Sequence, residues 1–345
     1  MRILLLRTSA LGDVVHALPV LTALRRHLPE AHLGWVVEEA MAPLLAGHPD
    51  LDELVVVRLR AWGRQPFAAA TRRGVVALLA AFDRFAPDVV LDLMGNHKAG
   101  ALAALTFCGR RIGAAYAQRR EPSSALWINE PVAVSGAHAV DRGLSLLSAL
   151  ALPREPADFG GDKLLRGAAP GPLPDEPYVL LHPGAGWANK RDPPAYWGQA
   201  TRLLRDATDL PTLIAVAPGE EGLAREVEAA SGGAARAVLA SDLPALAALT
   251  RKARLMLGGD TGPIHLAHAL GTSVLMLLGP TDPARHGPYG APERSLARRL
   301  PCSYCYRRLA ETKVCLLDIP PREVAERAVA LLAAGSDATA ATRPA

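Results

Sequence analysis

Cysteine is scarce in this chain: four residues in 345, three of them between positions 302 and 315. So few thiols cannot staple a chain of this length, which excludes a disulfide-framed secreted domain. Long apolar runs are missing as well. The run from Ile3 to Leu6 is too short for a secretory signal and is interrupted by Arg7, Gly12 and Asp13. No other stretch reaches the ~18 to 20 apolar residues of a membrane crossing, so a cytoplasmic protein is expected. Charge of one sign is in only mild excess, with a formal net charge of +4. That balance suits anionic substrates or a phospholipid surface and does not single out nucleic acid, which is not expected as a partner. No repeat recurs at a solenoid period.

What is present is alternation. A single core stops growing near roughly 250 to 300 residues, so this length predicts two domains. RILLL, HLGWVVE, Leu54 to Leu59 and DVVLDLM read as strands, separated by helical spacing over Val14 to Leu28 and Val75 to Phe82. A Pro- and Gly-rich stretch between Pro153 and Pro177 reads as a linker. Alternation then resumes, with strands in YVLLHPG, TLIAVAPG, RLMLGGDTG and SVLMLLGP and helices between them. Such a pattern predicts two α/β domains, each a doubly wound parallel sheet of Rossmann-like form. The expected divisions are a first domain at 1–160, a linker at 161–177, a second domain at 178–320, a helix at 321–334 and a frayed tail at 335–345.

Ligands of open parallel sheets settle where strand ends enter helices, and four such turns carry glycine and polar residues: SALGDV, LMGNHKAG, HPGAGWANKRDP and GGDTGPIH. In the third, Gly184, Ala185 and Gly186 let backbone approach an anion while Lys190 supplies a mobile positive charge, an arrangement suited to a diphosphate. A plain tight turn would read the same way. The third glycine of a dinucleotide fingerprint and the Gly-Lys-Ser/Thr ending of a P-loop are both absent. In the fourth, Asp260 or Thr261 suits a helix N-cap, Gly262 leaves room beside free N–H groups, and His265 falls in the first turn. A carboxylate there also suits sugar hydroxyls. Asp13 likewise fits either an N-cap or a general base. Cys302, Cys305 and Cys315 form CxxC and a third thiol with no fourth ligand close by, so reduced thiols and no metal are expected.

In this order the residues resemble the ADP-heptose lipopolysaccharide heptosyltransferases, glycosyltransferase family 9, inverting enzymes of GT-B fold. The resemblance rests on RILLLRTSALGDVVHALPVLTAL, WVVEE at 35–39, HAVDR at 138–142, HPGA with its downstream lysine, GGDTGPIHLAHALGT, GPTDP at 279–283, and CSYCYRR with CLLDIPPREV. It implies two domains facing a cleft, an ADP-sugar on the second and a lipid-linked Kdo or core acceptor on the first. Asp13 then resembles the general base, with Gly12 beside the substrates. Lys190 and the amides near Thr261 and Gly262 would meet the charge of departing ADP, so no cofactor and no essential metal are implied. Glu220 matches the ribose position, Ser241 would adjoin adenine, Asp260 the heptose hydroxyls, and His265 would support them. Arg58, Arg60, Lys98 and Arg120, with Arg64 and Arg119, are basic positions for an anionic acceptor, or solvated surface charge. The setting implied is the cytoplasm, with peripheral contact at the cytoplasmic face of the inner membrane. The chain departs from the family's KxWP with KRDPP, and carries Arg7 where lysine is also seen. Two other classes share the alternation: a non-catalytic sugar-nucleotide or lipopolysaccharide binder, and a dinucleotide-dependent oxidoreductase. The oxidoreductase would need a GxGxxG turn that is missing.

Overall fold

The apolar runs become the central strands of two sheets. The computed structural model describes residues 1–165 and 173–340, and the chain divides into units Met1–Arg166 and Gly167–Ala345. In the first unit, β1 (Arg2–Leu6), β2 (His32–Glu38), β3 (Glu53–Val57), β4 (Val89–Asp92), β5 (Arg111–Ala114) and β6 (Glu130–Val132) lie in the order β3-β2-β1-β4-β5-β6. All pairings are parallel. The second unit repeats this plan with β7 (Val179–His182), β8 (Thr212–Val216), β9 (Ala235–Leu239), β10 (Leu255–Gly259), β11 (Val274–Leu278) and β12 (Ser295–Ala297), ordered β12-β11-β10-β7-β8-β9. Strands flanked by helices on both faces must be apolar on both faces, which is why β1, β7 and β11 read as near-continuous apolar runs.

Each sheet reverses its strand order at one place, between β1 and β4 and between β7 and β10. Crevices form outside the carboxyl ends at such points. The four polar turns follow β1, β4, β7 and β10, so the topology delivers them to the reversal points of their own sheets.

Four short strands escape the sequence pattern. β6, β9 and β12 are edge strands, where one-sided pairing relaxes the apolar requirement, and β6 even contains Pro131. The fourth, β5, spans four residues and includes Gly113.

The Pro-rich stretch is only partly a connector. Arg26 pairs with Glu155 and Asp158 at 2.8 Å, Lys163 pairs with Asp50 at 2.7 Å, and Leu164 is buried. Residues 153–165 are therefore docked on the first unit, while 166–172 of the expected linker 161–177 lie outside the described residues. At the other end, the helix expected to stop at 334 runs Pro321–Ala340. Alanine-rich sequence sustains helix past that boundary, and a single Gly335 costs only about 1 kcal/mol. Residues 341–345 lie outside the described residues. This helix buries Val324, Ala325, Ala328 and Leu332 in the core that holds Tyr196, Trp197 and Leu204 of helix Pro194–Thr208. Among the described residues no helix is long and apolar enough to cross a membrane.

Candidate active site

Asp13 sits in the first turn of helix Leu11–His27, directly after β1. It is not the N-cap, which is Ala10, but its Oδ2 accepts from the Ala10 N–H at 3.3 Å. Its Oδ1 lies 2.5 Å from Arg7 Nη2. Arg7 is itself fixed: its guanidinium donates to the carbonyls of Leu93 and of Asp13, and its own carbonyl accepts from Trp35 Nε1 at 3.0 Å. The carboxylate stays about one-third exposed, so it is oriented without being sealed. The rest of WVVEE holds the neighbouring turn. Glu38 accepts from the Leu59 and Arg60 N–H groups at 3.2 Å, and Glu39 pairs with Arg58. HAVDR caps helix Ala139–Leu144 through His138 Nδ1, whose ring meets His16 edge-on.

The second unit gathers a tighter cluster. Asp260, 8% exposed, receives Lys190 Nζ at 2.5 Å and Thr281 Oγ1 at 2.6 Å on Oδ2, and His265 Nε2 at 2.9 Å on Oδ1. Burial opposes its ionisation. The His265 hydrogen bond, with the charges of His265, Lys190 and His286, overcomes that and holds the carboxyl well below its ordinary range. Thr261 is the N-cap of helix Gly262–Ala269, and its buried Oγ1 has no partner, leaving a hydroxyl beside the helix's open N–H groups. Glycines make room: a Cβ at Gly259 would stand 2.9 Å from the Lys190 carbonyl, and one at Gly184 would stand 2.8 Å from Glu220 Oε1. The diphosphate-type loop thus lies directly against β10 and the Glu220 carboxylate. Ala185 is buried and Gly186 exposed. Ser241 is exposed just before Asp242, the N-cap of helix Leu243–Lys252.

The CSYCYRR block and the residues that follow it brace this loop. Buried Asn189 donates to the Arg307 carbonyl at 2.9 Å, and Thr312 Oγ1 donates to the Arg191 carbonyl. The Trp187 ring carries two cations, Lys190 Nζ at 4.6 Å and the Arg308 guanidinium at 5.0 Å from its centroid. Thr281 and Arg308 join the cluster without having been marked by spacing, because each reaches it from far along the chain.

The profile of glycosyltransferase family 9 (heptosyltransferase) matches residues 75–315. Lipopolysaccharide heptosyltransferase 1 of Pseudomonas aeruginosa is 30% identical over 97% of this chain and 99% of its own. The chain belongs to glycosyltransferase family 9. The Escherichia coli K12 heptosyltransferase 1 is 31% identical, covering 84% of this chain and 91% of its own. Among solved structures, E. coli heptosyltransferase WaaC with ADP superposes at a TM-score of 0.77, with 25% identity over 96% of this chain and all of that one. The same enzyme with ADP-2-deoxy-2-fluoro heptose gives 0.74 and 25%, over 96% and 99%. The two parallel sheets are thus a GT-B fold, and the protein is a glycosyltransferase.

Within this family member, the departure at KRDPP has a structural cost. Asp192 is 2% exposed and neither carboxylate oxygen has a partner; the Tyr196 hydroxyl is also unpartnered and feels the Asp192 charge. Burial pushes the Asp192 carboxyl up to about 7. An unfolded aspartate releases its proton near roughly 3.9, so between those values the unfolded chain binds fewer protons and stability falls as pH rises. The loss over that window is about 4 kcal/mol, complete above about pH 7. Asp192→Leu is expected to remove that slope and to be the more stable protein at pH 8, with the gap closing toward pH 4. Urea midpoints at the two pH values check this; parallel midpoints would contradict it.

The basic positions separate. Arg58 and Arg60 follow β3, while Lys98 lies in helix His97–Leu105 after β4; Lys98, Arg60 and Arg120 are exposed. The Arg120 N–H lies 3.3 Å from where a Gly95 Cβ would be, so that loop meets the β4 turn. Gly12 is half-buried beside Asp13. Arg119 is different: it is fully buried, paired with Asp92 and bonded to Ser124 at 2.8 Å. Its guanidinium is committed to the scaffold of the first unit. Cys302 and Cys305 are exposed free thiols and Cys315 is buried. Among the described residues no three His, Cys, Asp or Glu side chains converge as metal ligands.

Proposed function

We propose that this protein transfers L-glycero-D-manno-heptose, with inversion, from ADP-heptose to the lipopolysaccharide inner core, adding the first heptose to the lipid-linked Kdo acceptor. Support for that position is the identity of 30% and 31% to heptosyltransferases 1 against 22% to a heptosyltransferase 3. The observation that carries the reaction class is the Lys190–Asp260–His265 cluster beside the open Thr261 helix start.

In this reading the diphosphate lies on Lys190, the Gly184 to Gly186 loop and the N–H groups from Thr261 and Gly262, with Arg308 adding a second cation. Asp260 and His265 hold Lys190 in place, and Asp260 also faces the heptose hydroxyls. Glu220 takes the ribose hydroxyls and Ser241 adjoins the adenine. The acceptor hydroxyl, brought to Asp13 with help from Arg58, Arg60, Lys98 and Arg120, attacks the anomeric carbon. Its proton passes to Asp13, the carbon–oxygen bond to the diphosphate breaks, and the electron pair leaves on ADP. Charge development on ADP is met by fixed cations and amides, so no divalent ion is required. We place the reaction at the cytoplasmic face of the inner membrane, where peripheral contact brings enzyme and lipid-linked acceptor together.

Purified protein with ADP-heptose and Kdo-lipid A is expected to release ADP and form heptosylated product at an unchanged rate in EDTA. A preference for an acceptor already bearing heptose would move the proposed position, and ADP release that EDTA abolishes would refute metal independence.

A further inference from the structure

Most large apolar side chains of the first unit are buried, yet the segment joining β3 to β4 leaves several in solvent. Phe67 is 91% exposed and Val76 66%, and Leu79 is exposed on the same helix, Ala69–Phe85. Phe67 is not out through slackness. The turn that carries it is tied by Thr71 Oγ1 donating to the Gln65 carbonyl at 2.7 Å, and by the Ala68 N–H donating to the same carbonyl at 3.2 Å. Trp62 of helix Leu59–Arg64 packs against Gly74, where a Cβ would come within 2.6 Å of the indole. The turn is therefore built, and it presents the ring.

Helix Ala69–Phe85 buries Thr71, Leu78, Phe82 and Phe85 on its inner face. Its outer face is unusual. Helical spacing of four and three aligns Arg72, Val76 and Leu79 on it, with exposed Ala77 and Ala80 beside that row, and no charge intervenes between Arg73 and Asp83. An outer helix face is ordinarily polar. This one is apolar along its middle and basic near its start, where Arg72 and Arg73 are exposed; Arg64, at the end of the preceding helix, is exposed as well. Because the helix follows β3 back across the sheet, its basic first turn and Phe67 stand at the carboxyl edge, the edge that bears Asp13.

We infer that Phe67, Val76 and Leu79, framed by Arg64, Arg72 and Arg73, form a surface that docks on an anionic phospholipid bilayer. Apolar side chains enter the headgroup boundary while arginines meet lipid phosphates, and the two contributions reinforce each other. Charge decides against a second copy of the chain as the occupant: a two-fold contact would set the same arginines against one another. The inference rests on the proposed lipid-linked acceptor for its purpose, since docking at this edge keeps the acceptor's exposed sugars near Asp13.

Sedimentation of the full chain with phosphatidylcholine vesicles, with and without phosphatidylglycerol, tests it. Wild type is expected to bind only the phosphatidylglycerol vesicles and to be released by salt. Phe67→Ser with Val76→Ser should weaken binding at least about tenfold, and Arg72→Gln with Arg73→Gln by about fivefold per arginine. Turnover on a water-soluble acceptor lacking acyl chains should be unchanged in both variants, which shows that they fold. Equal binding to both vesicle types, variants that sediment like wild type, or loss of a dimer in the variants without vesicle binding by wild type would each overturn the inference. Failure of wild type on the soluble acceptor would strike the proposed reaction alone, because the vesicle arm contains no substrate.

Discussion

Asp13→Ala is expected to lower turnover about a thousandfold while leaving the dissociation constant for ADP within about twofold of wild type. The residue lies in the unit that does not carry the loop proposed to hold the diphosphate, so its loss should not touch nucleotide binding. Its surroundings argue for a reactive role over a capping one. As a helix-start contact, the 3.3 Å hydrogen bond from Ala10 is worth a few tenths of a kcal/mol to about one. Arg7, in contrast, is held by backbone on two sides in order to orient a carboxylate that stays partly open. Asp13→Asn keeps the shape and the contact to Ala10 yet cannot take a proton; it should be as inactive as the alanine variant. Turnover within tenfold of wild type in either variant would remove Asp13 from the chemistry.

Lys190→Ala should be nearly as severe, and should lower ADP affinity as well as turnover. Removing a charged donor from a preorganised oxyanion-type site costs about 3 to 4 kcal/mol, a factor of several hundred. Here the loss should appear in both ADP affinity and turnover, since the ammonium meets charge present before and after bond cleavage. A stability cost accompanies it, because Asp260 would lose one of three partners while remaining buried. Adenosine, which has no phosphates, separates the two effects. Calorimetry should show its affinity little changed in the variant while that of ADP collapses. Parallel losses for both ligands would mean that the pocket had come apart.

Much of this was legible in the sequence because it was local. Unbroken apolar runs gave away the central strands, and Gly12–Asp13 and Gly258 to Gly262 fall at strand ends, where pattern alone locates a turn. What pattern could not provide was partnership at long range. Nothing in the text joins Thr281 to Asp260, or Arg308 to Trp187, since those contacts depend on β11 and the 302–313 segment folding back over the ends of β7 and β10. Arg119 and Asp192 are buried charges that the pattern did not reveal. Each is charged and was expected near solvent or unremarked, but one is neutralised by Asp92 and the other simply buried. Charge signals exposure only when the rest of the fold leaves the group in water.

The brace formed by residues 302–313 has a practical meaning for anyone trimming or labelling this enzyme. Backbone carbonyls at 191 and 307 are shared between the brace and the diphosphate loop, so the two shapes are interdependent. A bulky maleimide attached at Cys302 or Cys305, both exposed, would therefore be felt at the 184–191 loop, through the contacts of Asn189 and Thr312.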